Sequence, residues 1–331
     1  MKKNNDKIDF VIIWVDGNDP KWQKEKEKYS PNKNTDSRSI RYRDWENLKY
    51  WFRGVEKFAP WVNKIYFVTW GHLPKWLDTT NPKLKIVNHK DFIPKEYLPT
   101  FSANPIELNL HRIQGLSEQF VYFNDDMFIL NYVKPKDFFK NGKPCEMAVF
   151  NPITAIDETL VSILANDLNV INKYFKKEKI IKNNLKKYLN IKYGKFNIRT
   201  LLCLPWSTIV GFYNHHHGSS LLKSTLKNIW HEEYEVLNET SKQKFRSKND
   251  VNQYLFQYWQ YCEGNFIPTK NLKKSVRIFD NIDYACNLIK KRKYKMLCLN
   301  DSEGCENFET AKQKIIDSFE KILPEKSSFE K

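Results

Sequence analysis

The segment Asp9–Val15 (DFVIIWV) constrains the fold more than any other part of the chain. After Asp9 it is an unbroken run of β-branched and aromatic residues, and it stops at Asp16-Gly17-Asn18-Asp19-Pro20. That pattern predicts a strand running into a turn. From Arg43 the apolar residues Trp45, Leu48, Phe52, Val55 and Phe58 recur at intervals of three to four, and Pro60 closes the segment, which predicts an amphipathic helix. Lys64–Thr69 and Leu84–Asn88 read as short strands, Ile106–Glu118 has helical spacing, and Phe120–Phe123 reads as a strand that runs into Asn124-Asp125-Asp126. Near the C-terminus Met296–Asn300 predicts a strand ending at Asp301, and Phe308–Leu323 an amphipathic helix. Strands alternating with helices argue for an α/β fold with a mostly parallel central sheet.

Length and composition bound the function. The 331 residues allow one large domain or two ordinary ones, and 41% hydrophobic residues exclude collagen-like and wholly disordered chains. The longest apolar run lies within Ile8–Val15, too short to cross a bilayer, and residues 1–9 are polar. The expectation is neither signal peptide nor membrane helix. Six Cys are scattered without a CxxC or a Cys/His ladder, so no zinc module is indicated and a reducing cytosol is the simplest compartment.

In parallel α/β sheets ligands bind beyond the carboxyl ends of the strands. Two predicted strands end here in acids, Val15 leading to Asp16 and Asp19, and Phe123 to Asn124, Asp125 and Asp126. If both ends lie on one edge they form a shared acidic pocket. Every residue of Asp16-Gly17-Asn18-Asp19-Pro20 is also a turn former, so turn chemistry explains that segment equally well. Asp125 and Asp126 are adjacent like charges, and a divalent cation with oxygen ligands would relieve their repulsion. Asp301 is a third acid at a strand end.

The charge balance is 55 Lys+Arg against 39 Asp+Glu, formally +16. Residues 171–200 carry ten Lys/Arg against the single acid Glu178, while Ile180, Leu185, Leu189 and Ile191 keep an apolar stripe. This predicts a basic amphipathic helix or helix pair, either a solvated Lys face or a contact for anionic lipid headgroups or a charged lipid-linked substrate. Only nine of the basic residues are Arg, among them Arg38, Arg41, Arg43, Arg112 and Arg246. Arg is the better bidentate phosphate clamp, although a surface ion pair is its commoner fate. His215-His216-His217 precedes Leu221, Leu222, Thr225, Leu226, Ile229 and Trp230 at helical spacing. A helix N-terminus beside imidazoles suits a phosphate or a general base; adventitious metal binding and simple capping are the alternatives.

These residues resemble a known family. Residues 8–20, from Ile8-Asp9-Phe10 to Asp16-Gly17-Asn18-Asp19-Pro20, are similar to the first conserved region of the Stealth proteins, hexose-1-phosphoryl transferases that include bacterial capsular polysaccharide phosphotransferases. The stretch from Arg43-Asp44 through Glu56-Lys57-Phe58-Ala59-Pro60-Trp61, Val68-Thr69-Trp70-Gly71-His72 and Leu98-Pro99-Thr100-Phe101-Ser102 to His111-Arg112-Ile113 and Phe123-Asn124-Asp125-Asp126 is similar to the second. More loosely, His216 to Trp230 with Arg246 to Asp250, and Leu299-Asn300-Asp301, resemble the third and fourth. The chain departs from the family pattern at Trp45 and at Trp70-Gly71-His72, which bears on substrate identity more than on reaction type, and it lacks the proline common near the third-region His, which bears on which of His215, His216 and His217 holds that role.

The resemblance implies transfer of a hexose-1-phosphate or N-acetylhexosamine-1-phosphate from a UDP-sugar to a hydroxyl of a growing cell-surface or capsular polysaccharide. UMP leaves and a phosphodiester forms, with Mg²⁺ or Mn²⁺ as cofactor. It implies a Rossmann-like or GT-A-like nucleotide-sugar-binding core in one discontinuous catalytic domain, residues 1–155 and 200–331, around a basic helical insertion at about 156–199. Under this reading Asp125, Asp126 and Asp301 hold the metal, Arg112 and Arg246 neutralise charge on the transferred group, and His216 is the general base. Asp16 binds the donor or orients the base, and Asp19, Arg43, Asp44, Asn124, Asp250 and Asn300 contact substrate. Spacing to Trp230 favours His216 over His215 and His217. The expected partners are the UDP-sugar and a glycan or lipid-linked oligosaccharide, in a cytoplasmic protein peripheral to the inner face of an anionic membrane. A metal-dependent glycosyltransferase releasing UDP is the nearest rival. A nucleic-acid-binding module ranks low, because no such motif accompanies the charge.

Overall fold

The apolar run forms β1 (Ile8–Trp14), six of whose seven residues are buried, in a computed structural model that describes residues 7–29, 35–36, 38–154, 158–214, 216–301 and 307–331. Further strands are β2 (Ile65–Thr69), β3 (Leu84–Asn88), β4 (Gln119–Phe123), β5 (Met127–Ile129), β6 (Ser219–Leu222), β7 (Lys273–Arg277) and β8 (Met296–Asn300). Five of them form the main sheet in the order β3-β2-β1-β4-β6. The first four are mutually parallel, and β6 closes the edge antiparallel to β4. A central strand of a parallel sheet is covered on both faces, which is why β1 carries no polar alternation. The fold is thus mixed α/β with a mostly parallel central sheet.

A second sheet places β8 between β7, parallel to it, and β5, antiparallel to it. The chain therefore leaves the main sheet at Phe123 and enters the second at Met127 after a single turn. That turn, residues 124–126, is the acidic segment. Met127 donates its N–H to the Asn124 carbonyl at 3.2 Å and Leu299 donates to the Asp126 carbonyl at 2.9 Å, so the turn is bonded at both ends.

Helix α1 (Pro20–Glu27) follows the turn after β1, and α2 (Leu48–Phe58) is the predicted amphipathic helix, starting later than Trp45. Its buried face lies on β5 so closely that a Cβ at Gly54 would sit 2.6 Å from the Ile129 carbonyl oxygen. On the same helix the buried Arg53 donates to Glu330 through Nε at 2.8 Å and Nη2 at 2.9 Å, and to the Leu323 carbonyl at 2.8 Å, tying the C-terminal segment to α2.

Two predicted elements differ in the structure. Helix α3 spans only Ala103–Asn109, followed by a 3₁₀ turn at Leu110–Arg112, rather than running to Glu118. Ile113 and Leu116 are buried from a loop, whose carbonyls accept from Lys223 Nζ. Leu221 and Leu222, read as the start of a helix, lie in β6, and helix α7 begins only at Lys223 (Lys223–Glu232). Pairing of all four β6 residues with β4 overrides the helical spacing of Leu221 and Leu222, a case of tertiary structure outweighing local pattern.

The basic region is helical: α4 (Glu158–Tyr174), α5 (Lys177–Tyr188), a 3₁₀ segment at Ile191–Phe196 and α6 (Asn197–Cys203). Leu164, Leu168, Ile171, Ile180 and Tyr188 share one core with Val11 and Tyr122 of the main sheet and with α8 (Tyr254–Cys262). The other face of the sheet is covered by α2, by α9 (Ile282–Lys291) and by α10 (Phe308–Glu320).

The Arg53–Glu330 pair gives a pH-dependent test of this architecture. Burial pushes the Glu330 carboxyl up, but the Arg53 bonds outweigh it and hold the carboxyl below its usual range. A depressed carboxylate stabilises the fold fully above its unfolded value, about 4.5, and loses that contribution as pH falls through the lower folded value. Glu330→Gln should cost roughly 2–3 kcal/mol at neutral pH in urea denaturation. The gap from wild type should close in acid; a gap independent of pH would show that the charge is not what holds the segment.

Candidate active site

The parallel pairing of β1 with β4 sets Ile12 opposite Phe123, so both strands leave the sheet at the same edge. The two acidic turns are brought side by side, as the shared-edge expectation requires. Asp44, from the segment before α2, joins them, and its carboxyl is pushed up by burial and by the neighbouring Asp16 and Glu46. Asp125 is pushed up to about 7, by desolvation first and then by repulsion from Asp126 and Asp44. Its residue surface is exposed, so water relieves part of the desolvation and the repulsion is the part that persists.

Asp126 lies at the centre of a mixed donor cluster. His216 Nε2 stands 3.4 Å and Cys298 Sγ 3.2 Å from its Oδ2, and one ligand atom from each of the three lies within 4.8 Å of the others. Its Oδ1 is buried without a hydrogen bond among the described residues. Each neighbour arrives by strand geometry. Tyr122 on β4 pairs with Ser219 on β6, so the residues just before β6 fall beside the acidic turn. Gly218 makes that approach possible, since a Cβ there would lie 2.7 Å from the Phe123 ring. Cys298 pairs with Met127 on β5, one residue from Asp126.

A further set of side chains fixes the imidazole. Its Nδ1 lies 3.2 Å from the Tyr254 hydroxyl, whose proton burial holds far more tightly than usual. Burial alone would lower the His216 pKa, but the Asp126 charge and hydrogen bond overcome this and the net shift is upward. Glu107 accepts from the Tyr122 hydroxyl at 2.8 Å and from the Gln253 N–H at 3.2 Å. The Arg246 charge acts on both Glu107 and His216, which places that arginine at the cluster. Asp250 underlies it: buried, it accepts from Ser247 N at 2.9 Å and Asn104 Nδ2 at 2.8 Å and shapes the turn after Arg246.

The remaining sequence-derived residues fall into distinct places. Asp19 caps α1, accepting from the N–H groups of Lys21 and Trp22, the turn chemistry that its sequence context allows. Asp16 donates its N–H to His72 Nε2 at 2.8 Å and accepts from Asn18 N at 2.9 Å. Asp301 is gripped by both Nε and Nη2 of Arg43, with Trp45 Nε1 at 3.0 Å, so it forms an ion pair beside the acidic turn. Asn124 accepts from the Tyr122 hydroxyl. Asn300 donates to Ser275 Oγ at 2.6 Å and its Oδ1 lies 3.2 Å from Cys298 Sγ. Arg112 is exposed, its Nε bonded to Asn109 and its guanidinium 4.8 Å from the Trp230 ring. It precedes the start of β4, at the opposite end of the strand from Asp125. His215 lies outside the described residues.

Cys298, Glu107 and Tyr254 were not singled out in the sequence. The one available signal for Cys298 was its i, i+2 relation to Asn300 on a strand, which puts both on one face. Glu107 and Tyr254 sit within apolar helical patterns that carry no mark of a site.

Next to the cluster opens a cleft of about 830 Å³ lined by Gly17, Asn18, Trp22, Lys26, Arg43, Asp44, Phe308 and Lys312. Glu27, Glu46 and Glu309 line it too, and Lys312 is ion-paired with Glu46 and Glu309, so cations, carboxylates and the aromatic faces of Trp22, Tyr42 and Phe308 are interspersed, a lining that suits a nucleotide diphosphate together with a counter-ion. The donor set fits a divalent cation: carboxylates that repel one another, a buried carboxylate oxygen without a hydrogen bond, an imidazole and a thiol. Burial first, and then Asp126, hold the Cys298 thiol well above its ordinary pKa, so it carries its proton.

Known proteins are similar to this chain in sequence over its full length. Residues 6–34 match Stealth protein conserved region 1 (CR1) and residues 41–146 match Stealth protein conserved region 2 (CR2). The capsular polysaccharide phosphotransferase WcwK of Streptococcus pneumoniae is 47% identical, covering 99% of both chains. The receptor polysaccharide phosphotransferase WefC of Streptococcus gordonii is 42% identical over 98% of this chain and 99% of its own. The exopolysaccharide phosphotransferase cps2G of Lactiplantibacillus plantarum is 37% identical over 98% and 96%. Among solved structures, the galactosyltransferase LgtC aligns over 93% of this chain and 95% of its own, at 10% identity and a TM-score of 0.40. With both acidic turns inside the matched regions and its full length shared with these relatives, the chain belongs to the Stealth family.

Proposed function

We propose that this chain is a polysaccharide phosphotransferase that moves a hexose-1-phosphate, or an N-acetylhexosamine-1-phosphate, from a UDP-sugar to a hydroxyl of a growing surface polysaccharide. The observation that carries the reading is the acidic turn at Asp125 and Asp126, set against His216 and beside a cleft lined by Arg43, Lys26 and Lys312. In the reaction an acceptor oxygen forms a bond to the β-phosphorus of the donor. The bond from that phosphorus to the oxygen bridging the two phosphates breaks, UMP leaves, and a phosphodiester joins the sugar to the acceptor. The acceptor hydroxyl's proton passes to His216 Nε2 once that nitrogen no longer donates to Asp126, while the Tyr254 hydroxyl holds the ring from Nδ1. Arg246 adds positive charge where the transferred group becomes more negative.

Asp125 and Asp126 would hold a divalent cation, which neutralises the diphosphate. Cys298 is a third donor in reach of Asp126, and a sulfur ligand favours Mn²⁺ over the harder Mg²⁺. Arg43, gripping Asp301 at the cleft wall, is placed to exchange that carboxylate for a donor phosphate. Asp16, held by His72, would face the donor from the end of β1. Asn124 and Asn300 support the turn and the thiol, and Asp44 adds to the cation's electrostatic attraction.

Three outcomes are expected. With a panel of UDP-sugars, Mn²⁺ and a lipid-linked or oligosaccharide acceptor, the nucleotide product should be UMP; UDP would mean an ordinary glycosyltransferase. His216→Ala should lower turnover by about 100–10,000-fold while Mn²⁺ binding, read by calorimetry, persists. Loss of Mn²⁺ binding in that variant would make the imidazole a ligand instead of the base. Cys298→Ser should weaken Mn²⁺ more than Mg²⁺ in the same titration, and equal effects would remove sulfur from the ligand set.

A further inference from the structure

The sequence places its basic excess in residues 171–200, but the structure shows where that region is also apolar on the outside. Helix α6 carries Ile198, Leu201 and Leu202 at i, i+3 and i+4, while Thr200 and Cys203 of the same helix are buried. A helix on a water-facing surface turns such a stripe inward; here it faces out. Ile198, Leu201 and Leu202 are 59%, 50% and 71% exposed, Ile191 is 94% exposed and Trp206, just beyond the helix, 60%. Large apolar side chains so exposed and so close in the chain mark an interaction surface.

The crest is braced from beneath. Lys177, a buried lysine of α5, donates through Nζ to the carbonyls of Cys203, Leu204 and Trp206. Cys203 ends α6, Leu204 caps it and Trp206 follows, so one ammonium group ties the helix end to the turn bearing Trp206. Along the chain through the crest the charge has one sign. Lys192, Lys195 and Arg199 are exposed between its members, and no acidic residue occurs between Glu178 and Glu232. No helix among the described residues is long and apolar enough to cross a membrane.

We infer that Ile191, Ile198, Leu201, Leu202 and Trp206 form a shallow membrane-seating surface that takes an anionic phospholipid bilayer. The apolar side chains enter the headgroup boundary and the flanking cations meet the lipid phosphates. Charge complementarity selects this occupant: a second copy of the chain would bring the same uncompensated cations against these. Tryptophan at the level of the headgroups is the residue such a surface uses. The inference goes beyond the proposed reaction and is read without turnover, so either can fail while the other stands.

The test is co-sedimentation of the full chain with vesicles of phosphatidylcholine, alone or mixed with phosphatidylglycerol, at physiological ionic strength. Wild type should partition onto the mixed vesicles and much less onto phosphatidylcholine alone. The triple variant Leu201→Ser, Leu202→Ser, Trp206→Ser should lose about tenfold or more of that partition. Lys192→Gln with Lys195→Gln should lose about fivefold per charge. Because the substituted side chains lie outside the core, unchanged thermal melting is expected. As a second readout, brominated lipid should quench less tryptophan emission in Trp206→Phe than in wild type. Equal partition onto both vesicle types, or a triple variant that binds as wild type does, would overturn the inference. So would light scattering that shows a dimer converted to monomer by the triple variant without vesicle binding.

Discussion

Like charges that the fold does not allow to separate are the constraint on which this structure turns. Asp16, Asp44, Asp125 and Asp126 converge on one edge of the main sheet, and the electrostatic influence of each on the next is read in the raised carboxyls of Asp44 and Asp125. Repelling groups on a mobile loop would move apart. Here the turn joins two sheets directly, bonded to β5 on one side and to β8 on the other, and β1 is held beside it by a parallel register. The backbone energy of two sheets therefore maintains an arrangement that its side chains oppose, and the opposition is relieved when positive charge enters.

The neighbouring groups divide that task. Arg43 is engaged with Asp301, so the cleft wall carries a neutral pair until an anion competes for the guanidinium. Arg246 lies on the other side, with the buried Glu107 and the His216 ring. The imidazole is positioned from both nitrogens, by a carboxylate and by a phenol that does not ionise. On the proposed reading the base keeps its Tyr254 contact and exchanges its Asp126 contact as the proton arrives, and positioning of this kind is what phosphoryl transfer asks of a protein that does little covalent chemistry itself.

Much of this was legible in the residues, for physical reasons that also explain the gaps. A strand buried on both faces must be apolar throughout, so β1 announced itself, and the acids after β1 and β4 could be assigned to one edge because parallel strands end together. The turn-forming reading of Asp19 was also sound, since the residue caps α1. What local pattern could not carry was pairing between distant segments. Leu221 and Leu222 continue the helical spacing of the residues after them, yet they belong to a strand because β4 offers them backbone partners. The Ile106–Glu118 stretch stops being helical at Asn109, though its apolar residues are buried all the same. Cys298 is unremarkable in sequence and sits against Asp126 because a strand from near the C-terminus is inserted beside β5. Arg112, adjacent in sequence to a site motif, lies toward the far end of the strand.

The positive charge of the chain divides in the same structural terms, into a few cations near the carboxylates and a lysine-rich helical face around an apolar crest. The account stands on the first of these groups and on the claim that phosphorus moves with the sugar. A UDP-sugar labelled with radioactive phosphorus at the β position tests that claim most directly, with polymer and nucleotide separated after turnover. The label should enter the polysaccharide, and the nucleotide recovered should be unlabelled UMP. Label recovered in UDP, with unlabelled phosphorus-free sugar in the polymer, would contradict it.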